Sequence, residues 1–257
     1  MNGINIWLNC ATRHKTASYR KMRFYAATAF ATLFGMMQKL PLTLLEEFLL
    51  LALDDHSGQL YPLARSTLDC AAAGAVLMDL TLRQRIDNDL RDMFLVDPSP
   101  IGDDILDPVL QLMSMAPVLT PHPIAYWLRQ LADEGESLRE KALRRLETRG
   151  IVHRQDRKIL WVFGSRRYPL VNDKEVREVK LRILGVVLSN EIPSPHDVML
   201  TGLAESCGLF RHILSAHEAE HATARIAQVA RMDLIGQAVA KGVTEIEAAI
   251  ALASGYR

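Results

Sequence analysis

The chain has 257 residues, 49% of them hydrophobic and 23% charged, with 30 basic residues against 30 acidic ones. That is enough apolar material for one or two cored domains, and the zero net charge excludes a molecule that binds polyanions over its whole surface. Cys10, Cys70 and Cys207 are scattered without any CxxC spacing, which excludes a disulfide framework or cysteine zinc site and points to a reducing compartment.

No acid precedes Glu46, while Arg13, Lys15, Arg20, Lys21 and Arg23 lead into "FYAATAFATLFGMM", Phe24 to Met37. That run is too short to span a bilayer. Residues 1–38 read as a basic and apolar extension, with three readings open. The start is placed too early and Met22, Met36 or Met37 is the true one; or the segment is a membrane-touching arm; or it is a signal or targeting segment. Residues 39–257 read as the main domain.

Helix signals fill that domain. Thr43 and Glu46 make a capping box before "LLEEFLLLAL". A turn at Asp54–Gly58 precedes a small-residue helix from about Ser66 to Arg83, whose Ala and Gly residues permit close packing. Helices follow at "ILDPVLQLM" and "HPIAYWLRQLA". Ser137 and Glu140 predict a second capping box, and Gly150 ends that helix. "IVHRQDRKILWVF" reads as two strands around Arg154–Lys158. Asn172 and Glu175 cap a long helix, and others cover "DVMLTGLAESCGLFRHIL", "AHEAEHATARIAQVARM" and "EIEAAIALA". A short internal echo sets Leu77, Leu80, Arg83 and Ile86 against Leu143, Leu146, Arg149 and Val152, both as a helix running into a strand. The expected fold is mainly α with one hairpin and no parallel-sheet alternation.

The most unusual stretch is basic. Ten residues from Arg139 to Arg167 are Lys or Arg, against Glu140, Glu147 and Asp156. On a helical wheel Leu138, Ala142 and Leu146 share one arc, with Leu143 at its edge. Lys141, Arg144 and Arg145 are assigned to the outward side. Arg139 falls within the apolar arc, which predicts either pairing with a core carboxylate or a place in an anion pocket near the helix start. "ILWVF", Ile159–Phe163, is either a strand buried on both faces or an apolar surface for a membrane or a partner.

Other motifs are bland. "HEAEH", His217–His221, matches a zinc-protease spacing, but Glu218 also completes a capping box with Ser215. Asp54/Asp55 and Asp103/Asp104 sit at turns or helix starts, where Asp is locally favoured. There is no phosphate loop, GxSxG or Cys/His pair. No enzyme, cofactor or metal is expected.

In order along the chain, "LPLTLLEEFLLLALDDHSG", "AGAVLMDLTLRQRI", "GDDILDPVL", "LRRLETRGIV" and "YPLVNDKEVREVKLRILGVVL" resemble the Golgi phosphoprotein 3 family, in its prokaryotic form. The resemblance implies a helical bundle wrapped by amphipathic helices, with one projecting β-hairpin at about Ile151–Phe163. It implies a cytoplasmic, peripheral membrane protein that binds phosphatidylinositol 4-phosphate, retains client membrane proteins, and uses its hairpin for membrane contact or self-association. Four pocket positions of the family map to Ala64, Ala73, Glu136 and Arg139, so only Arg139 keeps its basic residue. Arg65 stands close enough in sequence to substitute.

The expected headgroup-binding residues are therefore Arg139, Arg65, Arg144 and Arg145. The expected membrane or oligomer hairpin comprises Arg157, Lys158, Ile159, Leu160, Trp161 and Phe163. The expected partner is an anionic phospholipid membrane. Two other readings are a winged-helix DNA-binding regulator, disfavoured by the acidic "LADEGE" before the basic helix, and a scaffold oligomerising through the hairpin.

Overall fold

The first helix, α1 (Leu44–Leu51), begins at the predicted capping box: Thr43 Oγ1 accepts the Glu46 N–H at 3.2 Å, and Glu46 Oε2 accepts the Thr43 N–H at 2.8 Å. All its residues are buried, including Glu46 and Glu47, which are held by Thr43 and by Arg182. The structure is a computed structural model and describes residues 41–55, 57–116, 122–156, 166–170, 174–189 and 191–254. The 1–38 extension therefore lies outside the described residues. Leu42–Arg257 forms one compact unit.

The small-residue helix is α2 (Arg65–Leu82), buried from Thr67 to Leu80 except at Asp69. Its alanines let neighbours come close, which makes it the central element. Against it pack α1, α4 (Ile124–Ala132), α5 (Gly135–Thr148), α7 (Pro195–Ser206) and α10 (Leu234–Ser254), with α3 (Leu106–Met115) at one end. The outer helices are amphipathic. α6 (Lys174–Leu188) buries Val176, Val179, Ile183, Val186 and Val187. After the short α8 (Phe210–Ile213), α9 (Ala216–Ala230) buries Ala222, Ile226 and Val229. The described residues are 64% helical, so the mainly α expectation holds.

Several details differ from expectation. α5 starts at Gly135, and its N-cap, Glu134, makes no side-chain capping bond, so Ser137 lies inside the helix. A Cβ at Gly135 would sit 2.5 Å from Asp69 Cα. The glycine lets the first turn of α5 lie against α2, and that packing sets the start. The expected helix over Asp197–Leu214 is two, α7 and α8, separated at Gly208.

A second hairpin is also present. β1 (Ile86–Asn88) pairs with β2 (Asp92–Leu95), which pairs with β3 (His122–Pro123), all antiparallel. The register is Ile86↔Leu95 and Asp92↔Pro123.

The expected hairpin is wider than its sequence reading. β4 (Gln155–Asp156) pairs with β5 (Arg166–Arg167), with Gln155 opposite Arg167. Val152 bridges Leu170 at its base. The turn is thus not at Arg154–Lys158, because the buried Ile151 and Val152 anchor a register that runs on through Asp156. Arg157, Lys158, Ile159, Leu160, Trp161 and Phe163 lie outside the described residues.

The internal echo is structural. At the end of α2 the Arg85 N–H donates to Leu80 O at 2.9 Å, and Gln84 has φ 57°. At the end of α5 the Ile151 N–H donates to Leu146 O at 3.0 Å, and Gly150 has φ 72°. Both are left-handed helix stops that feed a hairpin.

Candidate functional site

Four segments meet beside the base of the β4–β5 hairpin. The loop after α1 supplies Gln59 and Leu60, and α5 supplies Glu136, Arg139, Glu140 and Leu143. Tyr168 comes from the return arm of the hairpin. These seven line a cleft of about 270 Å³. Arg65 and Asp69, on the first turns of α2, lie behind it through their contacts with Glu136 and Arg139. The loop is tied to the hairpin, since the Tyr168 N–H donates to Gly58 O at 2.6 Å.

Arg139 is the deepest cation of this cleft, with a side chain only 12% exposed. Its Nη2 donates to Asp69 Oδ1 at 2.5 Å, while its Nε is buried without a hydrogen-bond partner among the described residues. It pairs with the carboxylate of Asp69, the first of its two expected places, and it also lines the cleft. Arg65 is 70% exposed, hydrogen-bonds Glu136, and stands 3.8 Å from Asp69. The structure thus brings Arg65 and Arg139 together and meets each with an acid. Ala64 immediately precedes α2, and Ala73 is fully buried in the core.

Arg145 is placed differently from expectation. It follows Leu138 by seven residues, nearly two turns, so it returns to within about 20° of Leu138 rather than facing outward. Its guanidinium takes both oxygens of Asp103, at 2.6 and 3.0 Å, and also holds Asp104. Burial opposes its charge, but the two carboxylates outweigh that and raise its pKa. Burial likewise pushes Asp103 upward, but Arg145 and the N–H groups of Leu106 and Ile105 hold it below the usual carboxylate range. Arg149 also turns inward, its Nη1 3.9 Å from the buried Glu46. The outward face of α5 is left with Arg144, 3.6 Å from Glu140, and Lys141, whose Nζ donates to Asp104 O at 3.4 Å.

Elsewhere, the His217 and His221 rings meet edge to face at 4.4 Å, and Glu218 completes the capping box with Ser215. Among the described residues no three His, Cys, Asp or Glu side chains gather as metal ligands. No helix among them is long and apolar enough to cross a membrane.

The model of the Golgi phosphoprotein 3 (GPP34) family matches residues 44–246. The chain belongs to the Golgi phosphoprotein 3 family. Among curated proteins, vacuolar protein sorting-associated protein 74 of Eremothecium gossypii is 30% identical over 172 residues, which covers 59% of this chain and 50% of that protein. The chain thus spans about half the length of this relative. The family match takes in every element from α1 through most of α10, and with them the whole cleft and both hairpin arms.

Sequence reasoning missed Asp69, Glu140 and Tyr168 as parts of the site. The spacing of Asp69 four residues after Arg65 on one helix was the available signal for the first. Tyr168 joins only through the hairpin register, which the sequence does not set.

Proposed function

We propose that this family member is a peripheral, non-enzymatic protein that docks on anionic phospholipid surfaces from the cytoplasmic side and serves there as an adaptor for client membrane proteins. The observation that carries the reading is the position of the cleft. A buried arginine with an unused N–H lies at the base of a hairpin whose connecting sequence is "RKILWVFGS". Arg139, with Arg65 behind it, would hold a headgroup phosphate, while Lys141 and Arg144 would face the surface charge. Trp161 and Phe163 would enter the interface, where aromatic and basic residues sit together. The name of the Eremothecium gossypii relative, a vacuolar protein sorting-associated protein, supports the adaptor role.

The ligand class is the membrane headgroup at large rather than phosphatidylinositol 4-phosphate, because Ala64, Ala73 and Glu136 replace three of four mapped positions. The winged-helix reading loses ground for a physical reason. Arg145 and Arg149 on the would-be recognition helix are turned into the protein against Asp103, Asp104 and Glu46.

Flotation with vesicles tests the proposal. Each basic side chain near an anionic surface contributes on the order of 1 kcal/mol. Lys141→Glu with Arg144→Glu is expected to weaken binding to phosphatidylglycerol vesicles by about 20-fold or more. Trp161→Glu with Phe163→Glu is expected to weaken it as well. Unchanged recovery of both variants refutes the proposed surface.

A further inference from the structure

The cleft is a mixed-charge site rather than a cationic one. Arg65 is bound by Glu136, Arg139 by Asp69, and Glu140 shares the lining with Glu136. A multiply charged phosphate entering here would have to part Glu136 from Arg65 with nothing to compensate the displaced carboxylate, and it would also meet Glu140. A ligand with one phosphodiester and one ammonium, a few bonds apart, faces no such penalty. Its phosphate would take the place of Glu136 on Arg65, beside Arg139, while its ammonium would take the place of Arg65 on Glu136. Every charge keeps a partner through the exchange. The exchanged pair is at the surface, with Arg65 70% and Glu136 52% exposed, so opening it costs little.

The cleft, at about 270 Å³, has room for such a compact headgroup. The walls add Leu60, Leu143 and Tyr168, an apolar flank for the carbon atoms that join the two charges.

We propose that the cleft lined by Leu60, Glu136, Arg139 and Glu140 binds an amine-bearing phosphodiester, the headgroup chemistry of phosphatidylethanolamine, with Glu136 as the residue that selects the ammonium. This rests on the membrane reading above. A primary ammonium donates hydrogen bonds to Glu136 and Glu140, whereas a quaternary choline has no N–H to donate. The site therefore separates two headgroups of equal net charge.

The test uses the full chain and two kinds of probe. Flotation compares phosphatidylcholine vesicles with vesicles in which part of that lipid is replaced by phosphatidylethanolamine, and with phosphatidylglycerol vesicles. Calorimetric titration compares soluble glycerophosphoethanolamine with glycerophosphocholine, which removes any effect of bilayer packing. The expected preference for the ethanolamine form is about fivefold, the scale of one exposed charged pair, in both arms. E136Q is expected to lose that preference and to gain affinity for phosphatidylglycerol vesicles. Opposite changes of that kind do not arise from a misfolded variant.

Equal binding of the ethanolamine and choline forms overturns the proposal, as does an E136Q protein that keeps the preference. A preference on vesicles without any for the soluble compounds also overturns it, since bilayer packing then accounts for the result. Glycerophosphoethanolamine binding that survives when phosphatidylglycerol vesicles are not bound supports the cleft and refutes the membrane reading instead.

Discussion

Arg145 shows how far a residue's role depends on partners distant in sequence. Its carboxylates stand 41 and 42 residues away, at the start of α3, where Asp103 also accepts the N–H groups of Ile105 and Leu106. Arg145→Ala strips the largely buried Asp103 of its cation. It is expected to cost about 3 kcal/mol, read as a lowered midpoint in urea denaturation. The wheel could mark Arg139 as inward, but it could not name Asp69, 70 residues earlier.

A second residue-scale prediction concerns pH. Burial raises the pKa of Asp79 from 3.8 to about 7, against the opposing hydrogen bond from the Leu44 N–H and the charge of Arg83, with Asp103 and Glu46 adding to the rise. The folded state then holds a proton that the unfolded state has released. Asp79 therefore makes stability fall as pH rises from about 4 towards 7, after which its contribution is flat. Asp79→Asn keeps an acceptor for Leu44 and is expected to flatten the decline in Tm between pH 5 and pH 7. An unaltered slope in the variant contradicts the assignment.

At the scale of elements, the two helix stops invite a matched pair of substitutions. Gln84 and Gly150 occupy the same left-handed position in the repeated unit, yet only one of them is glycine. Gln84→Gly is expected to stabilise the protein by about 0.5–1 kcal/mol. Gly150→Ala is expected to destabilise it by about 1 kcal/mol, without a clash, because nothing lies within 4 Å of a Cβ there. Thermal denaturation of the two variants checks both signs.

Local chemistry made these elements readable: the capping boxes at Thr43 and Ser215, the alanines of α2 and the stop at Gly150 were all legible. Tertiary contact hid the rest. Packing on Asp69 moved the start of α5 from Ser137 to Gly135. The echo pointed to a strand at Ile86, but its partner Asp92–Leu95 is too short and too polar to announce itself, since only Met93 on it is buried. The hairpin register was unreadable because the sequence between Asp156 and Arg166 carries no Asn-Gly or Asp-Gly turn to fix it.

For the whole molecule, the order of motifs placed the chain in its family, and the basic stretch pointed to a polyanionic partner. Composition could not say how much of that charge is spent inside the protein. The fold answers part of this: Arg145 and Arg149 support the architecture, and Arg65 and Arg139 form a balanced cleft beside the hairpin. What remains for a surface is a narrower set, led by Lys141 and Arg144. Binding through so few charges should be reversible and salt-sensitive.

The most direct test of the membrane reading is flotation of the full chain with phosphatidylglycerol-containing vesicles, beside pure phosphatidylcholine vesicles, over a series of salt concentrations. The account predicts clear recovery with the anionic vesicles at low salt, falling steadily as salt rises, and much lower recovery with phosphatidylcholine. Equal recovery from the two vesicle types, or no recovery from either at low salt, would contradict it.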